Sequence, residues 1–396
     1  MKVLHIGEYV VGGVATYLNE LAAYQSQFFD VYLMMSDYNS ASDFDLDPDH
    51  ILRYEYRRHP KYFLSAMNCI RKAIQRIQPD IIHIHSSFAG MLARSLFFVF
   101  PPKASVFYCS HGWSFLMDTK PRLKKAYYMI EKMLEFKTDF IINISKYELE
   151  QSVRLGMSST KSRFVYSGLR ERNSRPPSES NTSVLLDPVK GDNVIRLLFV
   201  GRYDRQKGLD VLLDVLAQYP DLQDLTQLYV IGDSVLEKNE WTFPENVVRL
   251  GWVDNASIDL YYQQCDAVIM PSRWEGLPLV ALEAMKNRKA VISSSRASLP
   301  ELVSHEVNGY IFDLDQPEEL VHILRRLNKK KLTEMGEIGR SIFVEKFSAD
   351  RMNEEFVSLY YEARNVNVTL QHGTLTSRSE NYNRNGESPK HEYDIH

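Results

Sequence analysis

The chain has 396 residues, of which 44% are hydrophobic and 25% are charged. This composition is that of an ordinary globular protein, and the length suffices for roughly two or three domains. The formal net charge of −4 argues against a nucleic-acid partner, since such partners require an extended basic surface. No apolar stretch of the sequence reaches the length of a membrane-spanning helix.

The N-terminal segment and the cysteines indicate a cytoplasmic location. Residues 1–8 reach Glu8 before any long apolar run, so no secretory signal is predicted. The cysteines Cys69, Cys109 and Cys265 are far apart and lack metal-binding spacing. This usage is typical of a reducing compartment.

The first 170 residues alternate between short apolar runs and helical segments. Helices are predicted at 14–25 and 67–77. Strands are predicted at the apolar runs 3–6, 29–35, 81–85, 106–109, 140–144 and 164–166. Such alternation is typical of a parallel, doubly wound sheet.

A polar segment rich in Pro, Ser and Asn, 171–193, is predicted to be a linker. Beyond it, strands are predicted at 195–200, 227–231, 247–250, 267–270, 290–293 and 310–312. The sequence therefore predicts an α/β protein with two Rossmann-like domains, 1–170 and 194–346. A last helix is expected within 347–364, and the polar tail 365–396 is predicted to be disordered.

The segment 265–289 combines a buried strand, a loop and a helix. Glu275 lies in the loop, Pro278 is expected at the first helical position, and Glu283 lies about a turn and a half inside the helix. Because helix N-termini hold anionic ligands, two carboxylates there suit sugar hydroxyls on either side of a phosphate. The alternative is a solvated loop glutamate and an ordinary helix glutamate.

Two glycine-containing loops lie between a strand and a helix. In the loop 201–208, Arg202 and Lys207 can place two cations around a pyrophosphate, and the alternative is a solvated basic loop. Gly12 and Gly13 allow a ligand to approach the first helix closely. The spacing G-x-G-x-x-G is missing, so a dinucleotide cofactor is not expected.

Three histidines and an acidic loop are further candidates for chemistry. His111 follows a strand and can donate to a developing negative oxygen or shuttle a proton, with a structural histidine as the alternative. His83 and His85 share a strand face, which permits metal binding, but no carboxylate or cysteine completes a ligand set, so no metal is predicted. For the D-x-D triplets at 43–49, a solvated loop is favoured over a divalent ion.

Residues 120–137 form a basic amphipathic segment. An apolar stripe lies beside lysines and an arginine, and consists of Leu123, Tyr127, Ile130 and Leu134. Two interpretations remain open: a core-facing helix with a solvated basic edge, or a helix that contacts an anionic membrane.

The ordered set of these motifs resembles the group 1 glycosyltransferases, which are retaining enzymes with the GT-B fold. The resemblance covers about residues 1–364 and is most specific at the E-x7-E pair Glu275 and Glu283. Supporting motifs are Gly201-Arg202, Lys207-Gly208, Gly12-Gly13, Ser110-His111-Gly112 and Phe347-Ser348. The resemblance implies that the two domains face each other across a cleft and that the last helix crosses back onto the first domain.

The resemblance also implies roles for the residues around the donor. Arg202 and Lys207 would hold the pyrophosphate, Glu283 would accept the ribose hydroxyls, and Gly13 would leave room for the leaving phosphate. Glu275 would grip the donor sugar, together with the backbone amides of Gly276 and Leu277. His111 would lie by the reacting sugar, and neither a metal ion nor another cofactor is required.

The implied activity is retaining transfer of a hexose or N-acetylhexosamine from a nucleotide-diphosphate sugar, with UDP favoured over GDP. The expected acceptor is a hydroxyl of a lipid-linked glycan in surface-polysaccharide synthesis, at the cytoplasmic face of the membrane. The alternatives are a nucleotide-sugar epimerase or hydrolase on the same fold, and a non-catalytic sugar-nucleotide-binding subunit. The sequence departs from the family pattern at 167–170, Ser234 and 297–298. The last two departures lie on the donor side and leave the nucleotide and the sugar open.

Overall fold

The computed structural model describes residues 1–171, 186, 191, 193–233, 241–253 and 257–364, together with the strands at 368–371 and 374–377. In this part of the chain, two parallel sheets are each built from strands alternating with helices. The predicted α/β class is confirmed. No helix among the described residues is long and apolar enough to span a membrane.

The first sheet has seven parallel strands in the order β3-β2-β1-β4-β5-β6-β7. The strands are β1 (Lys2–Ile6), β2 (Asp30–Ser36), β3 (Ile51–Tyr54), β4 (Ile81–His85), β5 (Ser105–Cys109), β6 (Phe140–Asn143) and β7 (Ser162–Phe164). The helices are α1 (Gly13–Gln25), α2 (Phe63–Ile77), α3 (Ser87–Leu96), α4 (Pro121–Leu134) and α5 (Lys146–Arg154). Strands β1, β4 and β5 are almost wholly buried, which explains their continuous apolar runs.

The second sheet has six parallel strands in the order β10-β9-β8-β11-β12-β13. The strands are β8 (Ile195–Val200), β9 (Thr226–Ile231), β10 (Val247–Gly251), β11 (Ala267–Met270), β12 (Ala290–Ser294) and β13 (Gly309–Phe312). The helices are α6 (Leu209–Gln218), α7 (Asp221–Leu225), α8 (Ile258–Gln264), α9 (Leu279–Lys286), α10 (Leu299–Leu302), α11 (Pro317–Arg325) and α12 (Lys329–Lys346).

The order of the strands reverses between β1 and β4 in the first sheet and between β8 and β11 in the second. Doubly wound sheets bind ligands beyond the carboxyl ends of the strands at this reversal. The loops that follow β1, β8 and β11 carry most of the predicted site residues. The topology of the strands therefore brings these residues to the same edge of each sheet.

A last helix, α13 (Ala349–Ala363), returns to the first domain as predicted. Its N-cap Ser348 accepts a hydrogen bond from the amide of Arg351 and forms a backbone bridge with Leu169. Near its other end, the Tyr360 hydroxyl lies 2.6 Å from His83 Nδ1. One apolar core cluster runs through this helix and includes residues of both sheets.

Some predicted boundaries are wrong. The patterns miss β3, a short strand with three of its four residues partly exposed, and place β7 two residues too late. Pro278 has an extended backbone (ψ 116°) and precedes the first residue of α9 instead of occupying it. This helix ends at Lys286 because Asn287 leaves the helical conformation.

The predicted linker 171–193 lies almost entirely outside the described residues, so its role stays a prediction. Most of the tail 365–396 lies outside them as well. The structure has two antiparallel strands there, β14 (Val368–Gln371) and β15 (Thr374–Ser377), where disorder is predicted.

Candidate functional site

The loop after β11 contacts the loop after β5 across the interdomain cleft. A Cβ atom added to Gly276 would lie 3.1 Å from the amide nitrogen of Gly112 and 3.2 Å from the carbonyl oxygen of His111. Only a glycine permits this close approach without displacement of the opposite loop. The two residues predicted to be catalytic, Glu275 and His111, are therefore adjacent to this contact from opposite domains.

Glu275 and Lys207 form a short ion pair in the second domain. The distance from Lys207 Nζ to Glu275 Oε1 is 2.6 Å, and only 17% and 6% of the two side chains are exposed. Gln206 donates to the carbonyl oxygen of Trp274 in the same loop. The loops after β8 and β11 are thereby joined, which places an ammonium group and a carboxylate side by side at the cleft.

Arg202 lies in the same loop as Lys207 but is more open to solvent. Its guanidinium contacts Asp204 Oδ2 at 3.0 Å and donates to Gln206 Oε1 at 3.1 Å, with 48% of the side chain exposed. These contacts hold the arginine within its own loop. The two cations predicted to bind phosphate therefore lie on the same loop, and the Lys207 side chain is less exposed to solvent than that of Arg202.

Glu283 lies inside α9, on a cavity between the two domains. The Tyr262 hydroxyl of α8 donates to Glu283 Oε2 at 2.6 Å. Burial raises the pKa of Glu283, and this hydrogen bond partly opposes the rise. The cavity that it lines also includes Thr16 of α1 and Arg170, so a ligand there would touch both domains.

The first residues of α1 and α9 lie against each other. A Cβ atom on Gly13, the first residue of α1, would lie 3.4 Å from Leu279 Cδ1, the first residue of α9. Both helix starts have backbone N–H groups without partners inside the helix, and their dipoles favour negative charge. This pair of helix starts can stabilise an anion, and the buried Leu277 lies just before one of them.

His111 is the exposed end of a group of histidines. The ring is half-buried and has a left-handed backbone (φ 55°), and its Nε2 lies 3.0 Å from Nδ1 of the buried His85. Burial lowers the pKa of His111 to about 4, so the ring is neutral at pH 7. A neutral ring is suited to hydrogen bonding with hydroxyls and not to ion pairing with a phosphate.

The sequence patterns miss His5 and Gln25, which extend this group into the core. His5 Nδ1 lies 3.0 Å from His85 Nε2, and His5 Nε2 lies 2.9 Å from Gln25 Oε1. His5 could have been identified as a histidine in the otherwise apolar strand β1. This strand pairs with β4, so that His5 lies opposite His83. Polar residues on paired buried strands require partners.

The histidines also have the proximity that a metal site requires. One ligand nitrogen from each of His5, His83 and His85 lies within 4.8 Å of the others. The sequence pattern singled out His83 and His85. The third residue, His5, lies in β1, 80 residues before His85. Most of these nitrogens are already engaged in hydrogen bonds, so the prediction of no metal remains open to a direct test.

The acidic loop 43–49 is held by its own hydrogen bonds. The Asp47 side chain accepts from the amide of Asp49 and begins the short 3₁₀ helix Pro48–His50. The Asp45 carboxylate accepts a hydrogen bond from the Asn19 side-chain amide, and the Asp45 backbone N–H donates one to Asn19 Oδ1. These local contacts are those of a structured surface loop, in agreement with the favoured interpretation.

Helix α4 packs differently from the predicted stripe. Leu134 is buried, but Leu123 and Ile130 are 41% and 42% exposed. The side chain that enters the core is Glu131, which pairs with the fully buried Arg94 at 2.7 Å and accepts from Tyr108 at 2.8 Å. Since this buried ion pair fixes the rotation of α4, part of the apolar stripe faces solvent.

Exposed apolar side chains occur on α4, on the next turn of the chain and on the segment that follows α3: Leu123, Met129, Ile130, Met133, Phe136, Phe98, Val99 and Phe100. Lys137 lies 5.0 Å above the Phe98 ring, and Arg71 lies 5.2 Å above Phe100. We call this set of apolar residues the α4 surface.

Family models match both halves of the chain. The family described as glycosyl transferases group 1 matches residues 187–341, and glycosyltransferase family 4 matches residues 11–171. The first match contains Arg202, Lys207, Glu275 and Glu283, and the second contains His111. The matched segments therefore correspond to the two halves of the site.

Relatives and solved structures agree with these matches. An uncharacterized 41.2 kDa protein in the cps region of Klebsiella pneumoniae is 35% identical over 367 residues, which are 91% of this chain and 99% of that protein. An uncharacterized glycosyltransferase of Methanocaldococcus jannaschii is 27% identical over 73% of this chain and 77% of its own. Among solved structures, Anabaena HepE in complex with UDP-glucose is 19% identical with a TM-score of 0.75, over 91% of this chain and 100% of that one. Sucrose-phosphate synthase of Thermosynechococcus elongatus has a TM-score of 0.74 at 18% identity, over 92% and 99%.

Proposed function

This chain is a GT-B protein that belongs to the group 1 glycosyltransferase family, and we propose that it transfers a hexose or N-acetylhexosamine, with retention, from a nucleotide-diphosphate sugar to a hydroxyl acceptor. One observation carries the proposal. The Lys207–Glu275 pair of the second domain lies next to the contact between Gly276 and the His111–Gly112 backbone of the first domain. A donor sugar held by Glu275 would thus meet an acceptor bound on the first domain.

The donor diphosphate needs positive charge around it as the glycosidic bond breaks. Lys207, Arg202 and the adjacent starts of α1 and α9 supply that charge from the protein itself. Charge-assisted hydrogen bonds of this type contribute about 1.5–3 kcal/mol each. This supply of charge supports transfer without a metal ion.

The nucleotide of the donor is proposed to be UDP. Structures of Anabaena HepE, which have the same fold, contain UDP and UDP-glucose. In the present chain, the buried carboxylate of Glu283 lies on the interdomain cavity and is held in place by Tyr262. A carboxylate in this position suits the two hydroxyls of a ribose, which both donate hydrogen bonds.

The acceptor is proposed to be a lipid-linked glycan in surface-polysaccharide synthesis. The relative in the cps region supports this pathway class. The α4 surface supports contact between the first domain and the anionic inner face of a membrane through residues 120–137. Such contact would keep the protein cytoplasmic and peripheral, close to an acceptor that cannot leave the bilayer.

The test begins with nucleotide binding by calorimetry, using UDP, GDP, ADP and CMP with EDTA present. UDP is expected to bind, and Lys207→Ala to weaken binding roughly ten- to a hundredfold through loss of a charge-assisted bond. Arg288→Ala is the matched control, because Arg288 pairs with Glu337 and not with a residue of the loops described above. Failure of every nucleotide to bind would contradict the donor site.

Turnover is then measured with UDP-sugars and a polyprenyl diphosphate-linked sugar, by chromatography of released UDP and by NMR of the product. Glu275→Gln is expected to keep UDP binding and lose transfer at least a hundredfold, since a carboxylate beside the sugar is lost. An inverted product would contradict retention. Release of free sugar or of an isomerised donor would support the hydrolase or epimerase, and binding without turnover would support the non-catalytic subunit.

A further inference from the structure

A continuous line of side-chain hydrogen bonds connects His111 with the core of the first domain. It runs from Gln25 Oε1 to His5 Nε2 at 2.9 Å, from His5 Nδ1 to His85 Nε2 at 3.0 Å, and from His85 Nδ1 to His111 Nε2 at 3.0 Å. Gln25, His5 and His85 are fully buried. The line joins α1, β1, β4 and the loop after β5, so it connects three adjacent strands at the centre of the seven-stranded sheet.

The line has a direction because each neutral imidazole donates from one nitrogen and accepts at the other. A carbonyl oxygen only accepts, so Gln25 Oε1 requires that His5 donates from Nε2 and accepts at Nδ1. Because His5 accepts at Nδ1, His85 must donate to it from Nε2 and must accept at its own Nδ1. His111 must donate from Nε2, which leaves its Nδ1 as the unprotonated nitrogen.

We propose that Gln25, His5 and His85 are positioning residues that hold His111 as the Nε2–H tautomer, so that its Nδ1 accepts a hydrogen bond from a sugar hydroxyl in the cleft. The proposal rests on the function proposed above. In this proposal His111 accepts a hydrogen bond, whereas the role predicted from the sequence was donation to a developing negative oxygen. The group that it recognises is therefore a hydroxyl of the transferred sugar or of the acceptor.

Two further observations indicate that the ring of His111 is held in one place. Its backbone has φ 55°, a left-handed conformation that is unfavourable for a non-glycine residue. The Tyr17 ring packs edge-on against the imidazole, with 4.6 Å between the centroids. A strained backbone and a ring fixed on two sides are typical of a side chain whose position matters to function.

A metal ion on His5, His83 and His85 would use the same nitrogens. Of their six ring nitrogens, only His83 Nε2 lacks a hydrogen-bond partner. A metal bound to all three residues would have to displace at least one hydrogen bond of His5 and one of His85. It would thereby break the line, so the metal and the hydrogen-bond line are competing interpretations.

The first experiment is NMR of the free, full-length protein with ¹⁵N-labelled histidine at pH 7.5. The Nε2–H tautomer is expected for His111, His85 and His5. Because no substrate is present, the result does not depend on whether the proposed transferase activity is found. The Nδ1–H tautomer at His111, a cationic His111, or one equivalent of tightly bound metal by mass spectrometry would each overturn the proposal.

The second experiment compares variants of the line. His85→Phe keeps a ring of similar size and removes the acceptor of His111, so a mixture of His111 tautomers is expected, with kcat reduced about three- to tenfold. UDP affinity should not change, since the predicted UDP-binding residues lie mainly in the second domain. Gln25→Leu should likewise give a mixture of His111 tautomers and a lower kcat. Gln25→Glu keeps an accepting oxygen, so this variant should retain the Nε2–H tautomer of His111.

The matched control is His83→Phe, on the same face of the same strand and equally buried. It lies outside the line, because its Nδ1 bonds to Tyr360. Both phenylalanine variants should alter stability, but only His85→Phe should change the His111 spectrum and kcat. If His83→Phe changes both to the same extent, or if His85→Phe changes neither, the positioning role is wrong. Should His85→Phe fail to fold, Gln25→Leu and the spectrum of the unmodified protein still decide.

Discussion

Burial sets the protonation of the histidines in the first domain. It lowers the pKa of His5 and His111 to about 4, and that of His83 and His85 well below the usual value. Burial also raises the pKa of Glu148 to about 7, a carboxylate that accepts from the amide of Trp113, two residues after His111. The environment of the site therefore keeps imidazoles neutral and makes a nearby carboxylate hard to ionise.

The buried histidines are expected to make the fold sensitive to acid. A histidine whose pKa is lowered on folding binds fewer protons in the folded state than in the unfolded state between about pH 4 and 6.5. Its contribution to stability is therefore present above pH 6.5 and is lost as the pH falls. Glu148 acts in the opposite direction, since its raised pKa favours the folded state as the pH falls from about 7 towards 4.5.

His83→Phe isolates the histidine contribution. In urea unfolding at pH 7, 6 and 5, the loss of stability on acidification should be smaller in the variant, by up to about 1.4 kcal/mol per pH unit. The exposed His322→Asn is the control and should follow the unmodified protein. Equal slopes for His83→Phe and the unmodified protein would show that folding does not lower the pKa of His83.

At the scale of the element, α4 shows how a buried ion pair sets the face that a helix exposes. Arg94 of α3 is fully buried and bonds to Glu131 of α4, while its guanidinium lies 3.6 Å above the Tyr108 ring. Leaving either charge without its partner inside the domain would cost several kcal/mol, so α4 cannot rotate freely. Met129, Met133 and Phe136 are consequently 53–78% exposed.

We expect the α4 surface to bind anionic membranes. Met133→Ser combined with Phe136→Ser should reduce co-sedimentation with phosphatidylglycerol vesicles about tenfold or more, since each apolar side chain contributes roughly 1–3 kcal/mol on burial. Lys124→Glu with Lys125→Glu should also reduce it, and most strongly at low salt.

The control for the membrane experiment makes the same type of substitution, apolar to serine, on the second domain. Ile338→Ser with Val344→Ser removes two exposed apolar side chains of α12, which are 42% and 50% exposed, and should leave sedimentation unchanged. Equal loss in both double variants would indicate non-specific adhesion, and no loss in the α4 double variant would contradict membrane contact through this helix.

At the scale of the molecule, a few polar contacts hold the two domains together. Glu301 of the second domain accepts from the amides of Lys146 and Tyr147 at 2.9 and 2.6 Å, and from the Tyr166 hydroxyl at 3.0 Å. A carboxylate of one domain thus lies at the N-terminus of α5 in the other, where the helix dipole favours it. Arg205 adds a second link through Asp118, at 2.6 Å.

Loss of the Glu301 contacts is expected to open the cleft. In small-angle scattering, Glu301→Ala should show a larger radius of gyration than the unmodified protein and regain part of the difference when UDP is added. The reason is that three hydrogen bonds to a carboxylate are lost from the closed form only. The control is Glu318→Ala, also in the first turn of a helix of the second domain but exposed. An unchanged radius for Glu301→Ala would show that other contacts alone hold the domains closed.

The sequence alone determined the two α/β series, which follow from local rules: apolar runs of strand length, helices between them, and charged residues in the loops that follow strands. The return of the last helix was implied by the resemblance to the family, and the residues assigned to the donor stay a prediction. Because parallel strands end at one edge, loop residues such as Lys207 and Glu275 had to meet once the strands were placed. The E-x7-E pair, Glu275 and Glu283, is likewise a local feature, because one loop and the helix that follows it contain both residues.

Only the tertiary structure decided the contacts between segments that are distant in the chain. His5 is 80 residues from His85 and reaches it through the pairing of β1 with β4. The exposed face of α4 depended on the Arg94–Glu131 pair, since an amphipathic pattern does not reveal a charge that is paired inside the core. The approach of Gly276 to His111 required the two domains to close on each other, and no local pattern encodes that distance.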